Sequence, residues 1–333
     1  VRFDTPEHTV SEGIAYGMLL SALADDRALF DGLWRYYTRF SNAHGVMDWK
    51  IDGCDRVLAR GGASDAEFDA AYALIVADAR WGSHRSIKYA DEATVLIAAI
   101  KQYEIEPGTH VVKPGDTFGG SEVTNPCYFC PGYFRLFGRF TDDEVFWDEV
   151  ADTCYEVIEN NLRVNQAAGG LVSDWCRADG SHVGQPYASW YFRGGRRYHY
   201  DACRTPWRIA TDYAWHGTQA ALSYCERTRD FVEDTLGGIG NVKDGYLQDG
   251  TAYGKWHNVA FAGGFAAAGL ATGQNDADRY YEHLTNLQPS TYYNVTLKAI
   301  YLFFMTGNMK DPLADGFDNP AARSGASTKQ AAP

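Results

Sequence analysis

Helical periodicity is the strongest constraint this sequence places on its fold. Apolar residues return at every third or fourth position over 11–25, 27–39, 65–80, 87–103, 126–138 and 143–162. They do so again over 206–225, 228–235, 255–270, 275–286 and 292–306. That spacing gathers them on one face of an α-helix, which must then be buried against another element. Tyr16, Leu19, Leu20 and Leu23 form the first stripe, and Phe68, Ala71, Tyr72 and Ile75 form a later one. Start signals accompany several segments. Ser11 reads as an N-cap, Ser64-Asp65-Ala66-Glu67 as a capping box, and Thr205 as an N-cap ahead of Pro206 at the first helical position. Strand-like alternation is confined to short pieces such as Val111-Val112 and Gly170-Leu171-Val172, which read as hairpins or extended loops. The expected class is all-α.

The connections alternate between short and long. The long ones, 41–63, 105–125, 164–204 and 236–254, are rich in Gly, Asp and aromatics and hold most of the Trp. Helical hairpins stacked in a ring, with elaborated loops gathered at one end, suit this pattern. No sequence repeat is legible, so any symmetry is structural only. Periodicity fades from about Asp311. The expected organisation is one domain over 1–316 and a flexible linker or tail over 317–333, ending Ser324-Gly325-Ala326-Ser327-Thr328 and beyond.

Charge excludes some partners. Thirty basic residues against 43 acidic ones give a net charge of −13, which repels a phosphate backbone or an anionic membrane surface. No run of about 18 apolar residues is present to span a bilayer. The chain opens at Val1 with no signal peptide, which reads as a processed form and leaves the compartment open. Seven cysteines form no regular framework, and the odd count leaves at least one unpaired; in a chain of this size they read as buried small hydrophobes. Cys127-x-x-Cys130 is half of a zinc motif without a second close pair at metal-ligand spacing, so no metal or other cofactor is expected. Aromatics reach 14%, with 22 Tyr and 9 Trp. Such rings stack on the apolar faces of sugars, and they also fill cores.

Three carboxylates, Glu12, Asp65 and Asp201, lie at or just before predicted helix starts beside long loops. If like ends of the helices meet, the three converge. Cleaving a glycosidic bond takes one protonated carboxyl at the leaving oxygen and one ionised carboxylate handling water or the anomeric carbon. A helix N-terminus favours the ionised form, so an acid at Glu12 needs burial and neighbouring negative charge to keep its proton. The residues alone leave plainer readings open: an acidic first turn at Glu12, dipole support at Asp65, and a structural pair between Asp201 and Arg204 ahead of a capped helix. Asp212 is the rival to Asp201, but its place two turns into a helix reads as that of a buried structural acid.

Ser11-Glu12-Gly13 with Tyr16-Gly17-Met18, then Gly45-Val46-Met47-Asp48-Trp49-Lys50-Ile51-Asp52, resemble the opening motifs of glycoside hydrolase family 8. Ala63-Ser64-Asp65-Ala66-Glu67, Lys113-Pro114-Gly115-Asp116, Asn125-Pro126-Cys127-Tyr128-Phe129, Tyr200-Asp201-Ala202-Cys203-Arg204 and Thr306-Gly307-Asn308 continue the likeness in order over residues 9–313. It is greatest to the clostridial-type endoglucanases of that family. The resemblance implies an (α/α)6 barrel with a cleft across one end, and a secreted, monomeric, inverting endo-hydrolase of β-1,4-linked polysaccharides such as cellulose or mixed-linkage glucan. Xylan or chitosan is the alternative substrate, and a catalytically silent glucan-binding fragment the alternative function. Glu12 falls on the family's general acid and Asp201 on its general base. Tyr128 and Arg204 match the residues that hold that base, and Asp65 matches the acid that binds and distorts the sugar before the scissile bond. Trp49, Tyr200, Tyr292 and Tyr293 match sugar-stacking positions. Asp201 also counts against the chitosanase branch, which places its base elsewhere.

Two departures stand out. Phe118 occupies the place of a Trp in the Lys-Pro-Gly-Asp motif region, which implies a smaller platform at one sugar subsite. Relatives carry a helix before the Ser-Glu-Gly motif, whereas eleven residues precede Glu12 here. The expectation is therefore a barrel whose first helix is absent.

Overall fold

Helices account for most of the architecture. The structure, a computed structural model, describes residues 3–189, 195–315 and 317. The tail expected over 317–333 lies outside the described residues apart from Phe317. The described residues fall into two compact units, one within 1–100 together with those from 309 onward, the other within 101–308.

The first unit contains α1 (Ser11–Leu23), α2 (Arg27–Arg39), α3 (Ser64–Trp81) and most of α4 (Tyr89–Tyr103). A small antiparallel sheet joins β1 (His8–Val10), β2 (Lys50–Asp52) and β3 (Arg56–Ala59) in the order β1-β2-β3. α1 packs along α3, and α3 is buried without interruption from Ser64 to Ala77. A helix buried all round carries no simple amphipathic stripe. The cost of its polar groups is met by specific partners: Glu67, fully buried, accepts a hydrogen bond from Tyr37 Oη at 3.0 Å.

The second unit contains α5 (Pro131–Thr141), α6 (Glu144–Val164), α7 (Thr205–His216), α8 (Gln219–Asp230), α9 (Val259–Gly269), α10 (Gln274–Asn286) and α11 (Tyr292–Met305). β4 (Arg197–Tyr198) pairs antiparallel with β5 (Tyr246–Leu247). α9 is buried along its whole length, and its Gly/Ala composition lets other backbone come close. At Gly264 a Cβ would lie 2.2 Å from the Cys203 carbonyl oxygen, so the turn after Asp201 is seated directly on this helix. Asp212 is fully buried in α7, accepting from Tyr155 Oη at 2.5 Å with Arg135 Nε 3.4 Å away.

Several local expectations are corrected. Ser11 and Ser64 are first helical residues rather than caps; the caps are Val10 and Ala63, which lack a capping side chain and are extended. Backbone does the work instead, since the Ser11 N–H donates to the Trp49 carbonyl at 3.0 Å. Thr205 likewise lies inside α7, because a 3-10 turn over Ala202–Arg204 runs straight into the helix. The segment 206–225 is two helices, parted where Gly217 takes φ 67° and closes α7 with a bond to Tyr213 O. The segment 126–138 is a 3-10 turn, Pro126–Tyr128, followed by α5, which restarts at Pro131. Six of the seven cysteines are buried free thiols, whereas Cys54 is exposed.

Candidate active site

In the second unit, Asp201 follows β4 and opens the 3-10 turn into α7. Its Oδ2 accepts a hydrogen bond from Trp175 Nε1 at 3.0 Å, and its Oδ1 lies 3.7 Å from Arg204 Nη2. The Asp201 side chain stays 37% exposed, whereas that of Arg204 is 3% exposed. A buried guanidinium needs further acceptors or π-faces. Arg204 Nη2 donates to Cys127 Sγ at 3.0 Å, and its charge sits 5.6 Å from the centre of the Tyr128 ring. Tyr128 in turn meets Trp175 edge-on at 6.3 Å. The result is a carboxylate held on two sides and open on another.

Asp174, next to Trp175, is buried beneath the same loop. Its Oδ1 accepts the backbone N–H groups of His199 and Ala202, both at 2.9 Å. Burial pushes the Asp174 carboxyl well above the usual range, and the neighbouring Asp201 charge adds to the rise, against the pull of those two N–H groups. Asp174 and Trp175 escape sequence reasoning because they lie in the long 164–204 connection, where no periodicity or spacing marks them. The one available signal is an Asp-Trp pair in a stretch that already concentrates Gly and Trp.

The expected sugar-stacking residues of this unit gather nearby. Tyr200 is 36% exposed and is braced edge-on by Phe261 and His199 at 5.1 and 4.9 Å. Its hydroxyl accepts from Asn258 Nδ2 at 2.9 Å and donates to Asp244 Oδ2 at 3.3 Å. Tyr293 Oη donates to the Tyr200 carbonyl at 2.8 Å. Tyr292, the first residue of α11, is half-buried. Phe118 packs against the cluster of Val123, Trp175 and Val183, which ties it to the residue that bonds Asp201.

In the first unit, Glu12 lies in the first turn of α1 and Asp65 in the first turn of α3. The Trp49 backbone links the two starts: its carbonyl accepts from Ser11 N, and its N–H donates to the Gly61 carbonyl at 2.9 Å, just ahead of α3. Both carboxyl groups therefore stand at the same end of the helix pair, where exposed N–H groups attract negative charge. Glu12 is partly exposed, whereas Asp65 is almost fully buried, with Oδ1 accepting the Ala66 N–H at 3.0 Å. The Trp49 ring is 37% exposed.

Among the described residues, no group of three or more His, Cys, Asp or Glu stands close enough to hold a metal ion. The Cys127 and Cys130 sulfurs are engaged otherwise, Cys127 by Arg204 and Cys130 by donation to the Tyr128 carbonyl at 3.3 Å.

Residues 2–307 match the glycosyl hydrolases family 8. The chain belongs to that family. Endoglucanase A of Acetivibrio thermocellus is 40% identical to this chain over 318 residues, covering 92% of this chain and 64% of that protein. Endoglucanase C of Ruminiclostridium cellulolyticum is 38% identical over 308 residues, covering 90% of this chain and 64% of that protein. The family 8 chain thus spans just under two thirds of the length of these curated relatives. Its fold is similar to that of the apo beta-1,3-1,4-glucanase from Paenibacillus sp. X4, with a TM-score of 0.85 and 28% identity over 92% of this chain and 85% of that one. The expected all-α class, the (α/α)6 barrel fold of helical hairpins, is borne out by that likeness.

Proposed function

We propose that this family 8 chain carries an inverting endo-β-1,4-glucanase activity on cellulose-like or mixed-linkage β-glucans. The observation that carries the reading is Asp201: a carboxylate fixed by the Trp175 indole and the Arg204 guanidinium, yet open on the remaining side. A base that activates water needs both features, an ionised oriented oxygen and room for the water it deprotonates. Relatives at 38–40% identity that bear the name endoglucanase support the choice of substrate.

In this mechanism Glu12 protonates the leaving glycosidic oxygen. Asp201 takes a proton from a water, which attacks the anomeric carbon from the opposite face and inverts it. Inversion requires the two carboxyls to stand roughly 6.5–9.5 Å apart across the bound sugar. Glu12 must be kept protonated by burial under substrate and by nearby negative charge, of which Asp65 is one source. Asp65 binds and distorts the sugar before the scissile bond, and Tyr128 and Arg204 hold Asp201. Trp49, Phe118, Tyr200, Tyr292 and Tyr293 supply stacking surfaces along the chain of sugars. The protein acts as a secreted monomer.

The deciding experiment is proton NMR of the product in the first moments after cleavage. Inversion releases the α-anomer first; early β-anomer contradicts the mechanism. Reducing-sugar release from carboxymethylcellulose, xylan and chitosan in parallel decides the substrate, with carboxymethylcellulose expected to lead.

A further inference from the structure

Trp256 is 72% exposed, although an indole is among the groups with most to gain from burial. The loop beneath it is nonetheless firmly held. The Trp256 N–H donates to Asp244 Oδ1 at 2.9 Å, and the N–H groups of Tyr253 and Gly254 donate to the Gly245 carbonyl at 3.1 and 3.0 Å. Arg197, buried, places its guanidinium 3.9 Å from the Tyr253 ring centre. The same Asp244 carboxylate that takes the Trp256 N–H takes the Tyr200 hydroxyl on its other oxygen. One carboxylate and its two hydrogen bonds are all that separate the Trp256 backbone from the Tyr200 ring tip. The residues that follow, His257 and Asn258, line a recess of about 130 Å³ with Gln288, Thr291 and Asn294.

We propose that Trp256 is an outlying platform for the β-glucan chain, carrying sugars that have run past Tyr200. The proposal rests on the reading of Asp201 and Tyr200 as parts of a glucan site. A rigid aromatic ring on an anchored loop loses little conformational freedom on binding, so most of the stacking gain is kept. A ring so placed acts on long chains alone, because a short oligosaccharide occupies the sugars around Asp201 without reaching it.

The test compares the wild type with W256A and W256F in two measurements. The first is gel migration in soluble mixed-linkage β-glucan, which reads binding without turnover. W256A is expected to be retarded less, with an apparent Kd raised roughly five-fold, and W256F to keep most of the retardation. The second is kinetics on the same polymer and on cellotriose. KM for the polymer should rise roughly five-fold in W256A with kcat held, while cellotriose kinetics stay as in the wild type. Equal retardation of W256A and wild type, no retardation of the wild type, or an equal KM change for polymer and cellotriose overturns the proposal. Retardation lost in W256A while no form of the protein releases sugar leaves the platform standing and overturns the catalytic reading instead.

Discussion

The Trp175 indole N–H donates to Asp201 Oδ2 at 3.0 Å, from a segment 26 residues earlier in the chain. Trp175→Phe removes this bond and little else of the ring's bulk. A hydrogen bond to a charged group contributes about 1.5–3 kcal/mol. The expected result is a kcat on β-glucan lowered at least ~10-fold, with KM nearly unchanged and the far-ultraviolet circular dichroism retained. A variant with wild-type kcat would show that the indole does not orient the base.

Glu12→Gln and Asp201→Asn should each lower kcat by about 10²–10⁴ on polymer without loss of fold. Their pH profiles should part company. Losing the acid removes the alkaline limb of the bell, and losing the base removes the acidic limb. An aryl cellobioside whose leaving group needs no protonation should partly restore Glu12→Gln and leave Asp201→Asn inactive. Equal rescue of both would remove the assignment of acid and base.

Asp174 predicts a pH dependence of stability. Its folded carboxyl holds a proton well above the ordinary value of 3.8, owing to burial and then to Asp201. Above that ordinary value the unfolded chain releases a proton that the folded chain keeps. The contribution of Asp174 is therefore full below it and is lost as pH rises, at about 1.4 kcal/mol per pH unit while the folded group stays protonated. Asp174→Asn keeps an acceptor oxygen for the His199 and Ala202 N–H groups and has nothing to titrate. Thermal melts from pH 3 to pH 7 should show the variant gaining on the wild type as pH rises. A constant difference across that range would refute the protonated Asp174.

Gly264→Ala should harm both stability and turnover. The added methyl meets the Cys203 carbonyl oxygen at 2.2 Å, and overpacking of this kind costs about 1–3 kcal/mol. Because Cys203 lies two residues beyond Asp201, the shift should reach the proposed base. Differential scanning calorimetry and kcat on β-glucan should both fall, whereas substitution at exposed Val145 of α6 should move neither.

Helix existence was legible because the 3.6-residue pattern is strong: α2 and α10 fall within a residue of their expected bounds. Helix starts were less so. Ser11 and Ser64 look like caps in one dimension, but backbone carbonyls meet free N–H groups instead, that of Trp49 taking Ser11 N–H at α1 and that of extended Ala63 taking Ala66 N–H at α3. The Gly217 break was hidden because apolar spacing continues across it. Tyr128, Arg204 and Asp201 could be paired from ordered motifs, and in the second unit they lie together. Asp174 and Trp175 could not, since their proximity to Asp201 arises from the path of a long loop, and loop paths leave no period in a sequence.

The exposed thiol of Cys54, alone among seven otherwise buried cysteines, makes the wild-type protein selectively labelable. A maleimide dye would attach at this one position without mutagenesis, since the other sulfurs are out of reach of reagent while the fold is intact. Fluorescence from that dye would then serve as a clock for unfolding, because loss of structure releases further sulfurs to react at a rate set by how often the interior opens.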